Sequence, residues 1–570
     1  MSISPYRIKQ TIAHKGQHYA LVESPENDII YRVSGDFKRW NLSFRIQKMA
    51  INADYLVLLH AQNFCKSYQL FIEDQISEKI LMKQAFLLGD GFVVQKAAAG
   101  GGYRISNKSI EQIRKFGLDE ESDCLLPSQL DLFDLVMLRD GVIFTSSATG
   151  IWEATLTVFW KNDELKWNKV SLPTTQDCKN QYVRWLGDYE VLVASDMKAQ
   201  YQRLFCWNIL SNDLKPLDSL RKDHILYQDS QLSLSNHKGY CEVLIHGRRY
   251  KTGFCRDFSK SDNFLTLLAD EPASTQKLWT MQLGEGSASD FQFDGQMDTE
   301  PKALALDDSG HLVSSHDYAF ECLEEKLING SMLRFRPPNA VLGTVIFVHG
   351  GPGICEGHRM REITVEMVHR GFEVISFDAT GSAGYGRTFR NRLNGQHGSL
   401  DLIELKQILS TKVEHFPVFL WGESYGGYLV LKAGIELSNI ICGVINYYGV
   451  TDWLDAMLDW ENLKGPLKSR MYKNFGNPNM ESGRSYLQKI SILPEAHLLS
   501  LPVLSIHGSE DKSVPLRHSE KLYEAMVNPH PLSKLLILPD EGHEIRAYKN
   551  RKNALDEVLE FLDRCLEETR

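Results

Sequence analysis

Hydrophobic positions follow two different rhythms along the chain. From about residue 20 to 310, apolar residues come in short runs broken by polar turns, as in Tyr55-Leu56-Val57-Leu58-Leu59, Tyr68-Gln69-Leu70-Phe71-Ile72 and Gly141-Val142-Ile143-Phe144. No long amphipathic helix stands out there. Many short strands of this kind predict a sandwich, a barrel or a propeller. A looser repeat narrows the choice. Glu190-Val191-Leu192-Val193-Ala194-Ser195-Asp196 precedes Arg203-Leu204-Phe205-Cys206-Trp207, and Phe264-Leu265-Thr266-Leu267-Leu268-Ala269-Asp270 precedes Lys277-Leu278-Trp279-Thr280-Met281. Each is a buried strand, a polar turn and an aromatic strand. The two copies lie two units of about 37 residues apart, close to the size of a propeller blade. About 290 residues hold about seven such blades. A pair of β-sandwiches satisfies the same bare pattern.

The second rhythm begins after residue 312. Thr344-Val345-Ile346-Phe347-Val348, Pro417-Val418-Phe419-Leu420-Trp421, Leu501-Pro502-Val503-Leu504-Ser505-Ile506 and Lys534-Leu535-Leu536-Ile537-Leu538 read as buried strands. Tyr428-Leu429-Val430-Leu431-Lys432-Ala433 reads as a helix, and Leu555, Val558, Leu559, Leu562 and Leu566 form a helical stripe with acids between them. Continuous apolar strands among helices predict a doubly wound, mostly parallel sheet. The expected division is an N-terminal segment 1–20 packing on the second domain, an all-β domain 21–312 and an α/β domain 313–570.

Composition changes this picture little. The 570 residues, 43% hydrophobic and 24% charged, suit large soluble cores. A net charge of −10 does not favour nucleic acid. No apolar run reaches membrane length, and Met1-Ser2-Ile3-Ser4-Pro5-Tyr6-Arg7-Ile8 lacks an export-type apolar core. The ten cysteines are scattered, which reads as reduced thiols in a cytoplasmic protein. Nothing calls for a metal or a cofactor. A homo-oligomer is allowed by the sequence but not specified.

The chemistry sits in the second rhythm. Trp421-Gly422-Glu423-Ser424-Tyr425-Gly426-Gly427 places G-x-S-x-G between a strand and a helix, the context of a nucleophile elbow. In a chain with 41 glycines that motif alone arises by chance. Its surroundings make it specific. An activated serine needs a base, and the base needs an orienting group. His507-Gly508-Ser509-Glu510-Asp511 follows one strand and Asp540-Glu541-Gly542-His543 follows the next, at the strand ends where parallel sheets place their sites. Asp511 is the expected orienter, with Glu510 as rival. His543 is the expected base, because His507 directly follows a buried strand and suits a packed role. The oxyanion donors expected are the N–H groups of Tyr425 and Gly351, the latter in His349-Gly350-Gly351-Pro352-Gly353.

Taken with Gly381-Ser382-Ala383-Gly384-Tyr385-Gly386 and Val450-Thr451-Asp452-Trp453, these motifs resemble the prolyl oligopeptidase family of serine peptidases, in the style of its acylaminoacyl-peptidase-like bacterial members. The resemblance implies an α/β-hydrolase catalytic domain capped by a β-propeller. It implies a Ser424–His543–Asp511 triad, an acyl-enzyme at Ser424, and a short peptide or small acyl substrate admitted past the propeller.

The chain departs from the family pattern in places. Ser513 stands where many members put an Arg or Asn that holds the substrate, and Thr380 replaces an Arg before Gly-Ser-x-Gly. His349 stands where some relatives carry an oxyanion tyrosine. Acylaminoacyl-type relatives also carry His there, where it shapes the loop; His349, Ser513 and Trp453, which follows Tyr447-Tyr448-Gly449-Val450, are the candidates for the substrate pocket. Glu120-Glu121 matches the amine-anchoring pair of dipeptide-removing relatives only as adjacent acids, and a solvated loop explains it as well. Ala97-Ala98-Ala99-Gly100-Gly101-Gly102 lacks the Lys-Ser/Thr end of a phosphate loop. Cys355, just after the Gly-Gly-Pro-Gly loop, reads as a packed thiol. Two readings compete with a peptidase: a specialised serine hydrolase or acyl transferase, and a propeller scaffold with a relic hydrolase.

Overall fold

The structure is a computed structural model. It describes residues 6–14, 17–24, 27–33 and 38–42, the strands between residues 48 and 171, and most of 178–283, 291–314 and 320–569 outside short loops. The Glu120-Glu121 pair, the Ala97–Gly102 run and the turn at residues 307–310 lie outside the described residues.

Up to residue 314, the described elements are antiparallel strands arranged in successive sheets. Four-stranded sheets occupy 7–41, 134–171, 180–216 and 224–252, an eight-stranded sheet occupies 48–126, and a five-stranded one spans 254–314. The two repeat copies are real strand pairs. Glu190–Ser195 pairs with Arg203–Asn208, and Phe264–Asp270 pairs with Gln276–Gln282. One four-stranded sheet stands between their two sheets, which is why the copies sit two units apart.

Arg7–His14 pairs with Gln17–Glu23, so residues 7–14 form the opening strand of the first sheet, within the segment 1–20 expected to pack on the second domain. That sheet packs on the last one. Ile8, Ala20 and Val22 share an apolar cluster with Leu268 and Leu278. Thr11 N–H donates to Asp257 at 2.8 Å. His18, fully buried, bonds Ser259 at 3.1 Å and Thr266 at 2.9 Å. Burial depresses its pKa to about 4, so it closes the seam as a neutral ring.

From Glu321 the described strands belong to a different sheet, that of the second domain. That domain is built on one eight-stranded sheet. Its strands are β1 (Glu321–Leu327), β2 (Gly330–Arg336), β3 (Gly343–Val348), β4 (Phe372–Phe377), β5 (Val418–Glu423), β6 (Ile441–Tyr447), β7 (Val503–Gly508) and β8 (Lys534–Leu538). Their spatial order is β1-β2-β4-β3-β5-β6-β7-β8. β1, β2 and β4 pair antiparallel, and every later pairing is parallel. β3, β4 and β7 are buried at every position, which explains their largely apolar sequence.

Helices cover both faces. One face carries α1 (Glu362–Arg370) and, at the end of the chain, a long helix Tyr548–Thr569, through Met367, Val368, Val558, Phe561 and Leu562. The other carries α2 (Leu400–Thr411), α3 (Tyr425–Glu436), α4 (Trp453–Asp459) and α5 (Arg517–Ala525). The predicted C-terminal stripe is core, with Leu555, Val558, Leu562 and Leu566 buried. Among the described residues no helix is long and apolar enough to cross a membrane.

Several contacts tie the domains together. Gly386 N-caps a short helix, Arg387–Asn391, whose N–H groups at Arg387 and Thr388 donate to Gln200 at 2.8 and 2.9 Å. Tyr240 donates to Glu324 at 2.7 Å.

Candidate active site

Ser424 sits between β5 and α3 with φ 55° and ψ −113°. A non-glycine residue in that region is strained and is held only by its surroundings. The glycines supply the space. A Cβ on Gly422 would lie 2.2 Å from the Gly426 carbonyl oxygen, and one on Gly426 would lie 2.0 Å from the Val348 oxygen. Ser424 N–H donates to Tyr447 O at 2.9 Å, and Tyr428 N–H to Ser424 O at 3.1 Å. The serine is thus fixed by β6 on one side and by the first turn of α3 on the other, while its side chain stays half-buried.

Three distant loops meet there. His543 Nε2 lies 3.1 Å from Ser424 Oγ, and His543 Nδ1 lies 2.7 Å from Asp511 Oδ2. Asp511 Oδ1 accepts from the N–H groups of Ser513 and Val514 at 2.8 and 2.9 Å. Burial alone would raise the Asp511 pKa. The bonds with His507, His543 and the Val514 N–H outweigh it and hold the carboxyl below its usual range. The ring of Tyr448 rests 4.6 Å from that of His543. Glu541 fixes the loop by accepting from Arg546 and Ala547 N–H, each at 2.8 Å. His507 is packed, as its place after a strand suggested, with Ser519 at 2.7 Å and Val514 O at 2.8 Å.

The glycine loop approaches from β3. A Cβ on Gly350 would stand 3.3 Å from Ser424 Cβ, so only glycine lets the loop come this near. Gly351 has φ +125° and is exposed. Tyr425 begins α3, and the first N–H groups of a helix have no partner within it. His349 donates through Nδ1 to Gly350 O at 2.7 Å, and its Nε2 meets Ser382 Oγ at 2.8 Å. Both ring nitrogens are thereby engaged in bracing the loop.

The remaining pocket candidates separate. Ser513 is exposed beside Asp511, and its carbonyl accepts from Trp460 Nε1 at 2.9 Å. Trp453 is 1% exposed and stacks on Phe475 at 4.6 Å, deep in the core. Thr380 N–H and hydroxyl both donate to Glu404 at 2.6 Å. Cys355 Sγ donates to Asp378 at 3.3 Å.

One group of charges was not singled out from sequence. Glu423, the residue before the nucleophile, accepts from Arg361 at 2.9 and 2.8 Å. Arg361 also donates to Glu356 at 2.7 and 2.8 Å, and lies 4.4 Å over the Phe347 ring. Glu356 takes Arg359 at 3.1 Å, and Arg359 reaches Asp270 of the first domain at 3.9 Å. Burial acts to raise the Glu356 pKa, but the two guanidiniums hold it down at about 2. Burial raises that of Glu423, with Arg361 opposing. The sequence signal was weak: two arginines one residue apart, and an acid inside a glycine turn.

A serine elbow at the end of a central parallel strand, with a histidine and an acid on the loops after the last two strands, defines an α/β-hydrolase domain. Residues 359–569 match the model of the prolyl oligopeptidase family. Dipeptidyl aminopeptidase BIII of Pseudoxanthomonas mexicana is 30% identical over 40% of this chain and 34% of its own length. Dipeptidyl peptidase family member 6 of Caenorhabditis elegans is 26% identical over 39% of this chain and 31% of its own. The alignments thus span about a third of those relatives. A Mycobacterium tuberculosis puromycin-hydrolyzing peptidase has a similar structure, with a TM-score of 0.76 at 15% identity, over 99% of this chain and 95% of that one. At that identity the likeness shows the fold: a β-propeller followed by an α/β hydrolase.

Proposed function

We propose that the protein is a serine peptidase that hydrolyses short peptides through Ser424, His543 and Asp511. The observation that carries this reading is the continuous pair of contacts from Ser424 Oγ to His543 at 3.1 Å and from His543 to Asp511 at 2.7 Å. In the proposed reaction His543 Nε2 takes the Ser424 proton as Oγ bonds to the scissile carbonyl carbon. Asp511 holds Nδ1–H and stabilises the imidazolium. The oxyanion lies on the N–H groups of Tyr425 and Gly351, each worth about 2.7–4 kcal/mol of barrier. The C–N bond breaks as His543 protonates the leaving amine, and water then resolves the acyl-enzyme by the same route. The propeller, proposed from the strand Arg7–His14 to the strand Leu312–Ser314 ahead of the hydrolase, restricts substrate size. Its eight-stranded sheet has the width of two blades, which supports the count of seven.

A second reading, a hydrolase or acyl transferase for an ester, an amide or a modified peptide, is favoured by Ser513. This position offers a short exposed hydroxyl where a peptide-anchoring Arg or Asn is expected.

Mass spectrometry of digests of free and N-blocked short peptides, with Ser424→Ala as control, separates the two. Ser424-dependent cleavage supports the peptidase and gives its cleavage mode. No cleavage, with Ser424 still labelled by an organophosphonate, moves the assignment to the second reading. No labelling at all overturns both.

A further inference from the structure

Directly beneath the elbow lies a buried carboxylate that the proposed mechanism does not use. Asp401, in the first turn of α2, is 1% exposed. Its Oδ2 accepts from the phenol of Tyr425 at 2.5 Å, and its Oδ1 takes the Leu402 N–H at 2.9 Å. Tyr425 is 3% exposed, and its ring centroid lies 5.5 Å from Tyr428, 5.8 Å from His397 and from Trp453, and 6.4 Å from Phe475. A carboxylate in such a place is costly unless it is paired, and an apolar residue would fill the volume without that cost.

Tyr425 follows Ser424 directly. Its side chain leaves the same backbone unit whose N–H faces the carbonyl to be attacked. A strained φ/ψ at Ser424 holds that unit, and strain persists only where neighbours over-determine it. The backbone bonds of Ser424 and Tyr428 fix the far sides of the turn. The phenol–carboxylate bond is a further tether, reaching Tyr425 from a different helix.

We propose that Asp401 is a positioning residue for acyl transfer: through the Tyr425 phenol it anchors the first residue of α3 and so aims the Tyr425 N–H at the oxyanion. This rests on the serine-hydrolase reading above. Asp401 touches no substrate. Its effect appears only as charge develops on the carbonyl oxygen, so its loss lowers kcat and leaves KM nearly unchanged.

The test compares wild type, Tyr425→Phe, Asp401→Leu, Asp401→Asn and the Tyr425→Phe/Asp401→Leu double variant. The readouts are turnover of an N-acyl amino-acid p-nitrophenyl ester, inhibition by a peptide boronate, and the melting temperature. Expected is a fall in kcat of about 10- to 100-fold for Tyr425→Phe and Asp401→Leu, with boronate affinity falling in parallel. The double variant should fall no further than either single one, because both remove one tether. Asp401→Asn keeps an acceptor oxygen and should recover part of the rate.

A folded Tyr425→Phe with kcat within twofold of wild type overturns the proposal. So does a change confined to KM, or a double variant whose losses multiply. If Asp401→Leu does not fold, Tyr425→Phe, which keeps the ring, and Asp401→Asn carry the same comparison. Wild type that neither turns over the ester nor takes an organophosphonate at Ser424 overturns the hydrolase reading itself. An active wild type with unaffected variants sinks only the role of Asp401.

Discussion

Arg361→Ala tests whether the charges beside the elbow hold the domain together. Glu356 is 2% exposed on its side chain and Glu423 17%, while Arg361 is 26% exposed. Removing one partner of a buried pair costs about 3–5 kcal/mol, because the remaining charge is left desolvated. The partial exposure of Arg361 and the help Arg359 still gives Glu356 put the loss at the lower end, about 3 kcal/mol. At about 2–4 °C per kcal/mol for a domain of this size, the melting temperature should fall by about 6–12 °C at pH 8.

The sign with pH is specific. Glu356, held at about 2 in the native protein, contributes stability that is complete above its unfolded value of 4.5 and is lost as pH falls toward 2. Glu423 is raised, so its contribution runs the other way and is lost as pH rises. Without Arg361 both acids shift upward and can escape their penalty by taking a proton. The deficit of the variant should therefore be larger at pH 8 than at pH 5. Differential scanning calorimetry at both pH values gives the answer. A drop under about 2 °C at pH 8, or an equal drop at both, refutes the reasoning.

Three other outcomes follow from the geometry. Asp511→Asn keeps its size but loses the charge that fixes the His543 tautomer, and kcat should fall about 10⁴-fold in the ester assay with the fold intact by circular dichroism. Gly426→Ala puts a Cβ 2.0 Å from the Val348 oxygen, and the soluble yield of folded protein should collapse. Asp401 has its pKa raised by burial to about 6, against 3.8 unfolded, so it favours the native state at low pH and that gain is lost as pH rises through 6. Relative to wild type, Asp401→Asn should therefore melt higher at pH 8 than at pH 4, and the reverse order would count against this assignment.

The residues of the proposed triad were legible because their signals are local. Gly422 and Gly426 bracket Ser424 within one turn, and Asp511 and His543 each follow a recognisable apolar strand. The repeat at 190–207 and 264–281 was legible for the same reason, since each copy is a hairpin. What sequence missed spans loops. Glu423 meets Arg361 across β4 and α2, and Tyr425 meets Asp401 only because α2 packs on α3. No spacing rule links residues joined by a crossover. Trp453 marks the opposite limit. An aromatic residue after a strand end reads equally as pocket wall or core, and Phe475, much later in the chain, supplies the stacking surface that keeps it inside.

The position between glycine and serine in an elbow is ordinarily open to change. Here Glu423 is committed to Arg361, Arg361 to Glu356, Glu356 to Arg359, and Arg359 reaches across to Asp270. A substitution at the elbow is thus not private to the hydrolase. An engineer who grafts this hydrolase onto another propeller leaves Arg359 with Glu356 alone, without the acid it reaches across the boundary.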